Sequence, residues 1–345
     1  MKTQAAILVA PHHLVIDEIE LPALQPGQVL VKIAYSGICH TQLLEVRGYR
    51  GHDPYLPHCL GHEGSGIVVE VGEGVTKVKP GDAVILSWMK GQGANVMGSI
   101  FNWQGKKVNA GAITTFSQHS IISENRLTPI PSAFPLKAAA LMGCALPTGL
   151  GAVLNTAQPK PGSTLAVFGC GGIGLCAIKG AQIAGCSSII AIDLIPAKLE
   201  AAVSMGATHC IHAAEQDPLE ALKKLGPLDF AIEASGHPTA MQQALAAVRP
   251  QGGTAVIVGN ARQGQTLTLD PKEFNQGKRL LGTWGGDNQP DVHFPQYCEL
   301  VQNNRLNVSS LTSKVYALHQ IEEALQHLET GLVLRPLVDM SLPCA

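Results

Sequence analysis

Four side chains in this sequence have the chemistry to hold a divalent metal: Cys39 in Gly37-Ile38-Cys39-His40-Thr41, His62 and Glu63 in Leu60-Gly61-His62-Glu63-Gly64, and Cys144 in Met142-Gly143-Cys144-Ala145. Two thiolates and an imidazole suit zinc. Three protein ligands leave a fourth tetrahedral position for water or substrate, which marks a catalytic rather than a structural site. The separations along the chain are long, and a buried cysteine or histidine serves core packing as readily. Spacing alone leaves both readings open.

A second run that could do chemistry is Gly169-Cys170-Gly171-Gly172-Ile173-Gly174, a G-x-G-x-x-G. Glycines at these points let backbone N–H groups and a helix N-terminus approach a pyrophosphate. The strand-like Thr164–Phe168 precedes it, a helical stretch to about Ala184 follows, and Asp193 ends the next strand-like run. That context separates a dinucleotide site from a glycine turn that binds nothing. A carboxylate at Asp193 accepts hydrogen bonds from ribose hydroxyls and repels a 2′-phosphate. Leu194 follows where an NADP reader would place arginine, so NAD is the expected cofactor.

The elements that must position these groups fall into two kinds. Residues 1 to about 145 read as short strands punctuated by Gly and Pro, among them Gln28–Ile33, Gly66–Val71 and Ala83–Leu86, which implies a barrel-like β domain. From Pro161-Gly162 onward, strands alternate with helices: Thr164–Phe168, Ser188–Asp193, Leu228–Glu233 and Thr254–Val258, with Pro196–Met205 a helix that opens on proline and stops at Gly206. Alternation of this kind builds a parallel sheet covered on both faces. Past about residue 287, Ser313–Tyr316 and Leu337–Asp339 read as short strands around a helix over Gln320–Thr330. This tail is too small to fold alone and is expected to return to the first domain. The reading is therefore α/β: a doubly wound parallel sheet over 147–285 and a β-barrel catalytic domain over 1–146 and 286–345.

Length and composition agree with two cores: 345 residues, 46% of them hydrophobic. A net charge of -2 offers no basic footprint for nucleic acid and no polybasic membrane patch. The apolar run Ala5–Ala10 is too short for a signal segment, and no stretch approaches membrane-spanning length, so a cytoplasmic location is expected. The nine cysteines are odd in number, irregular in spacing and without a C-x-x-C, which argues for thiols and a metal site rather than disulfides.

Gly61-His62-Glu63-Gly64-Ser65-Gly66 with Val71-Gly72-Glu73-Gly74-Val75 resembles the zinc signature of medium-chain alcohol dehydrogenases. The resemblance continues through Cys39-His40-Thr41, Pro80-Gly81-Asp82, Gly143-Cys144 with Pro147-Thr148-Gly149, the nucleotide fingerprint and Gly206-Ala207-Thr208, and spans nearly the whole chain. It implies a Rossmann domain joined to a GroES-like barrel. It further implies that Cys39, His62 and Cys144 bind a catalytic zinc, with Glu63 beside the metal and able to approach it. Thr41 would touch the substrate oxygen and Thr148 the nicotinamide. Gly169, Gly171, Gly172, Ile173 and Gly174 would cradle the pyrophosphate. Asp193 and Lys198 would hold the adenosine ribose. Arg335 would bind the pyrophosphate, and His40 would lie near the same phosphates. Relatives are dimers or tetramers, so a homo-oligomer is expected.

Three departures from the family pattern stand out. Members with a structural zinc carry four closely spaced cysteines after the Pro-Gly-Asp turn, whereas Trp88–Gly111 here holds none; one zinc per chain and a lobe held by other packing are expected. Gln42 stands where relatives often have an aspartate supporting the zinc histidine, giving less charge behind the ligand. Leu44 stands where some members place a proton-relay histidine, so proton exit is expected through ribose and water. The expected reaction is reversible hydride transfer between an alcohol and NAD. Trp88 and Met89 would wall the pocket, and Arg47, Tyr49, Arg50 and His52 could greet a polar substrate. Cys144 disfavours a polyol or sugar dehydrogenase, which usually has glutamate there. The same motifs also fit a thiol-adduct formaldehyde dehydrogenase on this scaffold, and the glycine turn with Asp193 fits a non-catalytic NAD-binding protein.

Overall fold

The computed structural model describes residues 1–312 and 314–343. The chain divides into two units, Met1–Cys144 with Gln289–Ala345, and Ala145–Asn288. The first opens with β1 (Lys2–Ala10), β2 (His13–Glu20), β3 (Gln28–Gly37), α1 (His40–Val46), β4 (His58–Cys59), β5 (Glu63–Val71), β6 (Ala83–Ser87), β7 (Ser99–Trp103), β8 (Lys106–Gly111), β9 (His119–Ser123), β10 (Leu127–Ile130) and α2 (Leu136–Ala140). The second holds α3 (Ala145–Gly151), β11 (Thr164–Phe168), α4 (Gly172–Ile183), β12 (Ser188–Asp193), α5 (Pro196–Met205), β13 (His209–His212), α6 (Pro218–Leu225), β14 (Phe230–Glu233), α7 (Pro238–Ala247), β15 (Thr254–Ile257), α8 (Pro271–Asn275) and β16 (Arg279–Gly282). The chain then re-enters the first unit with α9 (Pro290–Gln302), β17 (Val315–Tyr316), α10 (Ile321–Glu329) and β18 (Leu337–Asp339).

In the first unit β1-β2-β7-β8-β4 close into a barrel, beside a sheet ordered β10-β6-β5-β3-β18-β17 with β9 also on β3. Alternation along β3 sorts its side chains between two cores: Val29, Val31 and Ile33 join one and Leu30 the other. The tail is bound in by β18, which pairs antiparallel with β3, and by α10. There Ile321, Ala324, Leu325 and Leu328 repeat at helical spacing and bury one face in the core of β3 and β5. Burying each of Ile321, Leu325 and Leu328 contributes roughly 1.5–3 kcal/mol. Of the strand read over Ser313–Tyr316, Val315–Tyr316 is β17 and Ser313 lies outside the described residues.

The second unit is a parallel sheet ordered β13-β12-β11-β14-β15-β16, the doubly wound order in which the strand direction of travel reverses between β11 and β14. Leu165, Ala166, Val167 and Phe168 of β11 are all buried, as a strand covered on both faces requires. Pro196 begins α5 and Gly206, at φ +113°, ends it. Among the described residues no single helix is long and apolar enough to cross a membrane.

The strand-and-turn reading of residues 1–145 missed α1 and α2. Each is under two turns long, too short for a 3.6-residue pattern to show. The omission matters for α1, because it begins immediately after Cys39.

Candidate active site

Three loops of the first unit bring the metal-type side chains together. Cys39 caps α1 where β3 ends, and its neighbour Ile38 donates its N–H to Pro336 O at 3.0 Å, tying the turn to the start of β18. His62 precedes β5. Cys144 follows the tight turn Leu141–Gly143, which lies against β5 and β6. That turn needs glycine, because a Cβ on Gly143 would sit 2.3 Å from Leu86 O and 2.7 Å from Glu63 Cβ. Ser87 Oγ donates to Gly143 O at 2.7 Å and holds the turn in place.

One ligand atom from each of Cys39, His62 and Cys144 lies within 4.8 Å of the others. His62 Nε2 is buried and has no hydrogen-bond partner, although a buried ring nitrogen normally has one. The Cys39 thiol is held well below its ordinary value. The main cause is a hydrogen bond from Cys144; burial opposes it, and the charge of Arg335 assists. The same hydrogen bond, with burial, drives Cys144 well above its ordinary value. Two sulfurs side by side and an unspent imidazole nitrogen form a donor set that fits zinc. Among the described residues this is the group of three or more such side chains able to hold an ion.

Around the cluster, Gln42 Oε1 accepts the Cys39 N–H at 2.9 Å, while Gln42 Nε2 contacts His62 Nδ1. Cys39 Sγ and Thr41 Oγ1 are 3.8 Å apart. Glu63 is fully buried and ion-paired with Arg335, itself buried. Burial alone would loosen the guanidinium's hold on its proton; the charges of Glu63, Cys39 and Cys144 raise it instead. The family resemblance assigns Arg335 to a phosphate. The structure supplies Glu63, and breaking such a buried pair costs about 3–5 kcal/mol. His40 is exposed on the first turn of α1, and Leu44 is half-buried. Trp88 is half-buried and Met89 buried. In the polar loop, Arg47 pairs with Glu322 at 2.7 Å and Glu329 at 3.0 Å, and Arg50 with Glu45 at 2.6 Å. Both arginines are thus engaged by the protein's own carboxylates.

The cysteine-free stretch Trp88–Gly111 carries β7 and β8 and is anchored by a residue that the sequence did not single out. Glu124, 2% exposed, accepts backbone N–H groups of Thr76 at 2.7 Å, Lys77 at 2.8 Å and Ala94 at 2.7 Å. Burial alone would raise its carboxyl, but these bonds and the Lys77 charge lower it below the usual range. Val96 N–H donates to Ser123 Oγ at 2.9 Å, and Gln92 N–H to Asp291 Oδ2 at 2.5 Å.

In the second unit the glycine loop joins β11 to α4. Gly169 is followed by Cys170; Gly171 is the helix N-cap, and Gly172, Ile173 and Gly174 form the first turn. A Cβ on Gly174 would lie 1.8 Å from Gly169 O, so only glycine closes this turn. No side chain caps the helix, and a Cβ on Gly171 would meet nothing within 4 Å. Open donors and an open face suit a pyrophosphate. Asp193 Oδ2 accepts the Cys170 N–H at 2.7 Å and Oδ1 the Ile195 N–H at 3.0 Å, joining the ribose-type carboxylate to the phosphate-type loop. Lys198 is half-buried on the first turn of α5. Thr148 is buried in α3, and its Oγ1 has no hydrogen-bond partner.

Glu233, at the end of β14, went unnoticed in the sequence. It is fully buried, and its Oε1 accepts Ser235 N–H at 2.7 Å, Ser235 Oγ at 2.5 Å and Gly236 N–H at 2.8 Å. Burial raises its carboxyl despite these bonds. It shapes the loop that follows β14, next to Gly169, whose Cβ position lies 2.8 Å from Ser235 Cβ.

Residues 25–132 match the alcohol dehydrogenase GroES-like domain family and residues 172–303 the zinc-binding dehydrogenase family. The chain is 33% identical to S-(hydroxymethyl)glutathione dehydrogenase of Photobacterium damsela subsp. piscicida, over 98% of this chain and 100% of that protein. It is 34% identical to alcohol dehydrogenase 3 of Hordeum vulgare, over 97% and 96%. The crystal structure of benzyl alcohol dehydrogenase from Acinetobacter calcoaceticus superposes with a TM-score of 0.90 at 28% identity, covering 99% of this chain and 100% of that one. The chain belongs to the zinc-dependent medium-chain alcohol dehydrogenase family.

Proposed function

We propose that this protein is an NAD-linked, zinc-dependent dehydrogenase that interconverts a small-molecule alcohol and its aldehyde or ketone. The observation that carries the reading is the convergence of Cys39, His62 and Cys144 with His62 Nε2 left unspent. These three would hold one zinc per chain, and no second zinc is expected in the Trp88–Gly111 lobe. When bound, zinc supplies Lewis acidity toward the alcohol oxygen and NAD accepts the hydride.

The chain's own residues do the rest. Thr41 carries the alcohol proton away from the reacting oxygen, and with Leu44 in place of a relay histidine the proton leaves through ribose and water. Glu63 would stand beside the metal, its carboxylate held by Arg335. Gly169, Gly171, Gly172, Ile173 and Gly174 hold the pyrophosphate, with His40 near it. Arg335 would lie against the same pyrophosphate, its Nε having no hydrogen-bond partner within the protein. Asp193 and Lys198 take the adenosine ribose, and Asp193 with Leu194 selects NAD over NADP. Thr148 packs on the nicotinamide.

Trp88 and Met89 favour an alcohol with an apolar body, in keeping with the name benzyl alcohol dehydrogenase carried by the Acinetobacter relative. Cys144 disfavours polyols. Membrane and nucleic-acid partners are not part of this reading, and the location is the cytoplasm. A homodimer or homotetramer is proposed through β16, an edge strand paired on one side to β15, where Leu281 is 38% exposed and Trp284, just past the strand's end, 77%.

The test is a panel of primary, secondary, aromatic and sugar alcohols and the glutathione adduct of formaldehyde, followed at the NADH absorbance with NAD and NADP in parallel. Oxidation of simple or aromatic alcohols with NAD supports the reading. Activity confined to polyols makes the protein a polyol dehydrogenase, and activity confined to the glutathione adduct makes it a formaldehyde dehydrogenase. Zinc and NAD binding without turnover on any alcohol favours a non-catalytic NAD-binding protein.

A further inference from the structure

We infer that Gln42 governs how tightly the metal is held, because its one amide faces two groups that zinc binding makes incompatible. The inference rests on the zinc-dependent function proposed for Cys39, His62 and Cys144. Gln42 is the third residue of α1, and its Oε1 reaches back to the N–H of Cys39, the residue that caps the helix, at 2.9 Å. The other end of the same amide, Nε2, meets His62 Nδ1. Gln42 is 1% exposed, so water does not substitute for either contact. In this arrangement the amide donates and Nδ1 accepts, which leaves the proton of a neutral imidazole on Nε2.

Nε2 is the nitrogen that belongs to the metal site, being buried, without a hydrogen-bond partner and grouped with the two sulfurs. A ring that ligates through Nε2 carries its proton on Nδ1 and needs an acceptor there. Gln42 meets that need only by turning its oxygen to His62, which sets its NH₂ against the Cys39 N–H, donor against donor. A glutamine has one acceptor end and the loaded site asks for two. The tautomer that satisfies the metal-free turn is therefore the wrong one for the metal, and loading zinc unseats the hydrogen bond at the start of α1. A carboxylate of the same length has two acceptor ends and serves Cys39 N–H and His62 Nδ1–H together. Gln42 is thus a positioning residue that makes the zinc more loosely held than a carboxylate would.

Gln42→Glu tests this with two readouts that activity does not supply. In competition with a chromophoric chelator, the variant binds zinc roughly 10- to 100-fold more tightly than the wild type, the usual range for a partner behind a metal histidine. In ¹⁵N NMR of the metal-free protein with the imidazole neutral, His62 carries its proton on Nε2 in the wild type and on Nδ1 in the variant. Equal or weaker zinc binding by Gln42→Glu, or the same tautomer in both proteins, overturns the inference. A wild type that takes up no zinc sinks the zinc reading instead, and the tautomer pair on metal-free protein still decides the role of Gln42.

Discussion

The ligand cluster and the Trp88–Gly111 lobe solve opposite problems within one unit. Around Cys39, His62 and Cys144 the protein leaves bonding capacity unused: a buried ring nitrogen has no partner, and two neighbouring thiols are driven apart in acidity. In the lobe, which in four-cysteine relatives is pinned by a second zinc, backbone donors are used up instead. Glu124 accepts three of them, and Ser123 and Asp291 take others. Unspent donors make a site that can bind and do chemistry. Spent ones make a scaffold whose stability comes from charge-assisted hydrogen bonds, which are worth about 1.5–3 kcal/mol each against ordinary ones near 1. A carboxylate anchored to amides can hold a lobe in place, provided that nothing in the region is asked to react.

Removing a ligand should break the first half of this comparison with the largest effect. Cys144→Ala is expected to lower alcohol oxidation on the order of 10⁴-fold, several kcal/mol of charge stabilisation at 1.36 kcal/mol per decade. Exchange protection of the Ala94 and Val96 amides should stay as it was. Loss of that protection would mean the two regions are not independent. Thr41→Val keeps the ligands and removes the hydroxyl beside them; kcat should fall roughly 10²- to 10⁴-fold with zinc content unchanged. A near wild-type kcat would take Thr41 out of the mechanism.

The second half breaks at Glu124. Glu124→Gln keeps the shape but removes the charge and leaves an NH₂ facing backbone donors, a cost of about 3 kcal/mol by urea denaturation; a change under about 0.5 kcal/mol would show that the lobe does not depend on it. Acid separates the regions without mutation. Because the folded Glu124 carboxyl is lowered, its contribution is complete above the unfolded value near 4.3 and disappears only as pH falls through the still lower folded value. Zinc ligands must be deprotonated, so zinc should leave first. In a pH series, zinc release should precede exposure of the Thr76, Lys77 and Ala94 amides; the reverse order would contradict the assignment. The smallest effect lies in the other unit: Asp193→Asn should weaken NAD about tenfold, one charged hydrogen bond, and leave zinc alone, as titration of NAD quenching would show.

Much of this was visible in the sequence where local pattern encodes it. Pro196 and Gly206 mark both ends of α5, the β11 and β12 strands are read without error, and the spacing of Gly169, Gly174 and Asp193 describes one strand–turn–helix unit. The ligands were legible only through resemblance, since Cys39, His62 and Cys144 share no spacing rule. What escaped was contact between polar side chains far apart in sequence. Glu124 on Ala94, Glu63 with Arg335, and Gln42 against His62 have no periodicity to betray them, because a buried carboxylate or amide looks like a surface one until the fold puts donors around it. The cluster's chemistry was therefore easier to foresee than the means by which it and the lobe are held.

Counting zinc in purified wild-type protein and in Cys144→Ala by mass spectrometry of the metal tests the account where it is most exposed. It predicts one zinc per chain in the wild type and close to none in the variant. Two zincs per chain, or a count that survives the loss of Cys144, would contradict it.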